Sequence, residues 1–362
     1  MNNKNNFYGG LLVMVVFFAL AADFVILQAD DIALARISGR QISPSSSQGL
    51  TSINITVAVP KNPNLTLTLN PDNISIDLNW TDSLTEGYYN VYFSSNLSLI
   101  ENLDISNIPT GVSVIYNLSD RNWTDYNADQ DSQRYYRVAG INSAGQNLST
   151  DTGCKFDFVF TASSAKSISL PCFPNNLSLN NVLRPSQTYN ARNPDTIRLF
   201  YRYNGQNKQR YAEWYGKEYG WYSSSTPDPL EYLEPGIGYY MFPINNTYNN
   251  TITGLLLENY SVTLNFYENS PKTIGAPYPK YYPLADSLHP AQGLDFLNPD
   301  KIRMFYAGSG GQKYSYWFGT SNGWVSYSAV PLTYLEPGVG YYLHPINNSY
   351  SDTINFSSGV VI

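Results

Sequence analysis

The sequence predicts a mainly β protein: an N-terminal transmembrane or signal helix, an antiparallel β-sandwich, and two tandem small β-rich repeat modules. Three observations carry that reading. Short runs of alternating apolar and polar residues recur between Asn54 and Thr161, bounded by turn residues, as in strands with one buried face. A block near residue 183 returns near residue 288, so the second half holds an internal repeat. The composition also favours strands and turns over helices, with 39 Asn, 60 Ser plus Thr, 32 Tyr and 22 Pro among 362 residues. Only 14% of residues are charged and the net charge is −7, which argues against nucleic acid as a partner because phosphate binding needs a basic surface.

In chain order, residues 1–8 read as a cytoplasmic tail, 9–29 as a transmembrane helix or signal sequence, and 30–53 as a linker. Leu11 to Ala22 is unbroken apolar sequence that resumes after Asp23 as Phe24 to Leu27, a length that just spans a bilayer. Lys4 precedes the run and Asp30 and Asp31 follow it, which keeps the tail inside and places the rest of the chain outside. Three readings fit the segment. A retained anchor fits its length, and a cleaved signal peptide fits the Ala19-Leu20-Ala21 site. A pilin-like assembly helix fits a start after Gly9-Gly10, although the acid such subunits carry near the helix start is missing. Ser38 to Ser52 has no periodicity and reads as a tether.

Asn-x-Ser/Thr sequons occur at Asn54, Asn64, Asn73, Asn79, Asn96, Asn117, Asn122, Asn147, Asn176, Asn245, Asn249, Asn259, Asn347 and Asn355. Composition alone gives about six, so the excess points to an N-glycosylated exterior protein. Cys154 and Cys172 are the only cysteines, an even count in a chain read as exported, and they are expected to form a disulfide. No Cys-x-x-Cys spacing suggests a metal pair.

Residues 54–161 form the sandwich. In Ile74-Ser75-Ile76-Asp77-Leu78-Asn79-Trp80 the alternation buries Ile74, Ile76, Leu78 and Trp80 and turns the sequon residue Asn79 outward. Tyr89, Val91 and Phe93 alternate further on, as do Tyr136, Val138 and Gly140. The succession LNWTDS, YNVYFSS, NWTDYNA and YYRVAGINSAGQNLST resembles the B, C, E-to-F and F-to-G regions of a fibronectin type III domain. The resemblance implies an antiparallel sandwich and departs at one place: the family's corner tyrosine falls on Arg134.

Residues 165–266 and 274–362 form modules 1 and 2. Asn193-Pro194-Asp195 to Tyr201 matches Asn298-Pro299-Asp300 to Tyr306 at an offset of 105, and LEPGIGYYMFPINNTY from Leu233 matches LEPGVGYYLHPINNSY from Leu335 at 102. The drift places deletions in loops. Gly236 and Gly338 suit the φ > 0 position of a type II turn. The closing motif, with SISLPCFP opening the first copy, resembles a module repeated in microbial surface proteins that ends in Leu-x-Pro-Gly-x-Gly-Tyr-Trp; here Tyr240 and Tyr342 stand for the Trp. That resemblance implies no enzymatic activity.

No catalytic, cofactor-binding or metal residue is nominated. Gly319-Thr320-Ser321-Asn322-Gly323 has nucleophile-elbow spacing but lies in a hairpin between Trp317 and Trp324, whereas an elbow needs a strand-to-helix turn. His289 and His344 are not repeated features, Asp129 and Asp131 lack the third carboxylate of a calcium loop, and Glu234 and Glu336 have no paired acid. Two roles are open to Trp214, Trp221, Trp317 and Trp324: filling the core of a module of about 90 residues, or presenting flat faces to sugars or a partner protein. The expectation is a non-enzymatic, membrane-anchored, N-glycosylated cell-surface protein with a structural or adhesive role, secreted if the N-terminal segment is cleaved. Its partners would be the membrane and other surface proteins or glycans. The alternatives are a carbohydrate-binding accessory of a surface complex and a pilin-like filament subunit.

Overall fold

The structure, a computed structural model, describes residues 62–356 except 73, 83–86, 189, 204–205, 226–227, 257–259 and 306–311. The apolar run 9–29, the linker and the sequons Asn54, Asn73 and Asn259 lie outside the described residues. Among the described residues no helix is long and apolar enough to cross a membrane. The described residues form one compact unit, mainly β.

The sandwich is built from β1 (Asn64–Leu69), β2 (Ile76–Thr81), β3 (Tyr88–Ser94), the short α1 (Leu97–Glu101), β4 (Ser113–Leu118), β5 (Asn122–Asp125), β6 (Gln133–Asn142), β7 (Gly145–Leu148) and β8 (Gly153–Phe160). One sheet runs β1-β2-β5; the other contains β8-β6-β3-β4, with β7 also on β6. Leu65, Leu67, Ile76, Leu78, Trp80, Tyr89, Val91, Tyr136 and Val138 meet between them, as the alternation of each strand demands. Ile74 departs from the expectation and is exposed. Its backbone N–H and that of Ser75 are held by the Asp72 carboxylate in a turn, so β2 begins only at Ile76. The second sheet is covered on its other face too: Tyr92, Tyr135 and Ala139 are buried with Leu97 and Ile100 of α1.

Module 1 contains β9 (Lys166–Ser169), α2 (Leu179–Val182), β10 (Asp195–Tyr203), β11 (Gln206–Trp214), β12 (Trp221–Tyr222), β13 (Gly238–Phe242) and β14 (Tyr248–Leu255). Module 2 follows with β15 (Tyr260–Phe266), β16 (Lys272–Gly275), β17 (Tyr282–Pro283), α3 (Leu284–Ser287), β18 (Asp300–Phe305), β19 (Gln312–Trp317), β20 (Trp324–Ser326), β21 (Tyr334–Leu335), β22 (Gly340–His344) and β23 (Tyr350–Phe356). The five-stranded sheets have the same order, β12-β11-β10-β13-β9 and β20-β19-β18-β22-β16, so the sequence repeat is a repeat of topology.

The expected boundaries are displaced. β15, placed in the first module by sequence, pairs along its whole length with β23 of the second, from Tyr260↔Phe356 to Phe266↔Tyr350. Its counterpart β8 pairs with β14 from Gly153↔Leu255 to Phe160↔Tyr248, so the last strand of the sandwich is also the first strand of module 1. On its far edge β8 holds β6, whereas among the described residues no strand holds the far edge of β15. Domains joined by a shared strand cannot swing independently.

The two modules pack against each other like subunits of a twofold dimer, in which each contact occurs twice. Ser169 N–H donates to Gly338 O at 3.0 Å, and Gly275 N–H donates to Gly236 O at 3.0 Å. A Cβ on Gly238 would stand 2.3 Å from Ile274 O, and one on Gly340 would stand 2.4 Å from Ile168 O. Only glycine permits that approach. Gly236 and Gly338 have φ of +77° and +72°, the left-handed turn that the sequence predicts. The closing motif thus encodes both a turn and the contact between modules.

Candidate functional site

An opening lies in the sandwich, where the edge strands β4 and β5 of the two sheets diverge. It is a cleft of about 540 Å³, within the range of small-ligand sites. Phe93 on β3 and Trp123 on β5 stack in its wall at 5.7 Å with 28° between planes. The Arg134 guanidinium lies 5.3 Å from the Phe93 ring centroid. Arg134 itself is buried, donating to Asp125 at 2.8 Å and to Asp131 at 2.6 and 2.9 Å. Burial opposes its charge, but the hydrogen bonds to the two aspartates outweigh that and hold the guanidinium pKa above its ordinary value. The Tyr136 hydroxyl donates to the same Asp125 oxygen at 3.0 Å; burial and the Asp125 charge raise its pKa far above normal, so it stays a donor.

The floor is therefore rigid and internally neutralised. The Lys155 ammonium, buried beneath it, donates to the Asp131 carbonyl and fixes the loop that carries that carboxylate. Ser95, Ser113, Thr124, Asn127 and Gln130 line the opening with hydroxyls and carboxamides. Tyr126 stands at the rim, 73% exposed.

The four tryptophans nominated by sequence do not face a ligand. Trp214, Trp221 and Trp317 are buried and Trp324 is half-buried. Each indole N–H donates to a backbone carbonyl: Trp214 to Gln187 at 2.9 Å, Trp221 to Leu183 at 2.7 Å, Trp317 to Gln292 and Trp324 to Leu288, both at 2.9 Å. Within each module the two rings lie 5.6 Å apart. They are the core of a small module that needs large side chains to fill it. Sequence reading missed Trp123, since β5 has only four residues and its alternation is too short to assign a face.

Cys154 and Cys172 form a disulfide, tying β8 to the loop after β9. Among the described sequon residues, Asn64, Asn79, Asn96, Asn117, Asn122, Asn176, Asn245, Asn249, Asn347 and Asn355 are exposed, and Asn147 is half-buried. The buried Asn90 and Asn250 are not sequon acceptors, Asn250 being the middle residue of the sequon at Asn249.

The remaining candidates are occupied elsewhere. Gly319 to Gly323 closes the β19–β20 hairpin through Gly323 N–H to Gly319 O at 2.8 Å, and Asp131 is engaged by Arg134. Glu234 and Glu336 accept nothing catalytic; their backbone N–H groups donate to the hydroxyls of Tyr239 and Tyr341 at 2.6 and 2.5 Å, fixing the turn. His289 is exposed, 3.6 Å from Asp352, and His344 is half-buried, its pKa lowered by burial and by Arg303 and Lys301. Among the described residues no group of three His, Cys, Asp or Glu is placed to hold a metal ion. Compared with known proteins, the chain matches no family model and no curated sequence.

Proposed function

We propose that the protein is an exported, N-glycosylated cell-surface protein, held to the membrane by residues 9–29, with a structural or adhesive rather than enzymatic role. The observation that carries this reading is the placement of the sequons. Ten of the eleven described sequon acceptors are exposed, on all three parts of the fold, while neither buried asparagine, Asn90 or Asn250, is an acceptor. A glycosylated chain must keep its acceptors on the surface. The disulfide supports the same compartment, since such bonds persist in oxidising surroundings.

The shared strand β8 and the reciprocal packing of the modules suit a spacer that transmits force between its ends. The strand sets β1-β2-β5 and β4-β3-β6-β8 support the resemblance to fibronectin type III domains. Carbohydrate binding remains the second reading, favoured by the sandwich cleft and not by the module tryptophans. Protease treatment of intact cells expressing the chain with a C-terminal tag tests the proposal. Loss of the tag without lysis is the expected result; a tag protected until lysis would overturn it.

A further inference from the structure

We infer that the cleft beside Trp123 is a binding site for a neutral saccharide. The inference deepens the cell-surface reading by naming what the surface would hold. Its first ground is the ring pair. Trp123 is half-buried, stacked on Phe93 in the cleft wall, and its indole N–H has no hydrogen-bond partner among the described residues. All four module tryptophans, by contrast, spend their indole N–H on a backbone carbonyl. The part of the Trp123 ring that lines the cleft, beside an unspent N–H donor, suits a pyranose, whose ring has an apolar C–H face and a rim of hydroxyls.

The second ground is charge. Arg134 is matched by Asp125 and Asp131, and Tyr136 also donates to Asp125, so no unpaired charge at the floor calls for an ionic ligand. The rim offers Ser95, Asn127 and Gln130, groups that both donate and accept, as a ligand dense in hydroxyls requires. Tyr126 adds a second aromatic surface at the entrance.

The third ground excludes the commonest competitor, an extended peptide added to a sheet edge, which needs a regular run of free backbone groups. The bordering edges do not supply one. β4 is irregular against β3 between Tyr89 and Val91, and it holds Asn117 at φ +58°, while β5 has four residues. A sequon occupies each of these strands, at Asn117 and Asn122. The rigid ion-paired floor keeps the cleft preformed, which lowers the ordering cost of binding.

The test uses the full chain purified in detergent, titrated by calorimetry and tryptophan fluorescence with cellohexaose, maltohexaose, xylohexaose and mannohexaose, and with the glycans released from the protein itself. Saturable binding of at least one of these is expected, weakened at least tenfold by Trp123→Ala and severalfold by Tyr126→Ala, and unchanged by Trp324→Phe. Tyr126 is exposed, so its variant reports on the cleft even where Trp123→Ala impairs folding. A response confined to the released glycans identifies a neighbouring molecule's glycan as the ligand, and a response to a hexaose identifies a free polysaccharide; both support the site. No saturable binding, or binding that both cleft variants leave intact, overturns it. Saccharide binding by a chain whose asparagines are bare would keep the cleft and remove the glycoprotein reading, while glycosylated protein that binds no sugar would do the reverse.

Discussion

Arg134 of β6 and Asp125 of β5 form a buried ion pair at 2.8 Å that joins the two sheets of the sandwich. It stands where the resemblance to fibronectin type III domains places a corner tyrosine. The hydroxyl partner is supplied two residues later by Tyr136, which donates to the same carboxylate.

Removing one partner leaves the other charge buried without compensation. Arg134→Met is expected to destabilise the protein by about 3–5 kcal/mol, read as a lower urea midpoint. The double variant Arg134→Met, Asp125→Leu recovers part of that loss. A single variant within about 0.5 kcal/mol of the parent would show that the pair does not staple the sheets.

The interface between modules gives a paired prediction. Gly238→Ala and Gly340→Ala each drive a methyl into a backbone carbonyl of the other module and should cost about 1–3 kcal/mol or more, by similar amounts. Gly293→Ala, where a Cβ meets nothing within 4 Å, is the control and should be nearly neutral in thermal melts.

Each module buries one aspartate. Asp300 accepts from Ile346 N–H at 2.7 Å and Asp195 from Ile244 N–H at 2.7 Å, and in both the second carboxylate oxygen has no partner. Burial raises both pKa values, that of Asp300 to about 6. An acid whose folded pKa lies above its unfolded value contributes stability in full below the unfolded value and loses it as pH rises through the folded one. For Asp300 that window runs from about pH 4 to pH 6, and the loss is on the order of 3 kcal/mol. Chemical denaturation across this range should show that slope, and Asp300→Asn should flatten it.

Reduction of the Cys154–Cys172 bridge, which spans 18 positions, is expected to cost about 3 kcal/mol by loop entropy. Differential scanning calorimetry with and without reductant checks it. An unchanged melt would mean that the fold holds this loop closed by packing alone.

Much of the architecture was legible in the sequence, for reasons that particular residues make plain. Ile76, Leu78 and Trp80 alternate because one face of β2 is buried, and the Leu-x-Pro-Gly-x-Gly-Tyr-Tyr blocks repeat because each supplies a left-handed turn and a glycine contact. The opening strand of each module was not legible. β8 and β15 occupy the same place yet share little sequence, because the outer face of β8 is covered, with Lys155 buried, while Ser261, Thr263 and Asn265 of β15 face solvent. The cleft was hidden for a different reason. Phe93, Trp123 and Arg134 come from three strands, and no local periodicity connects them.

Glycopeptide mass spectrometry of the protein from its native membrane, with and without reductant, decides whether the chain is an exterior glycoprotein. Glycans are expected on several of the ten exposed sequon asparagines and none on Asn90 or Asn250, together with a Cys154–Cys172 crosslinked peptide that separates on reduction. Bare asparagines together with free thiols would contradict it.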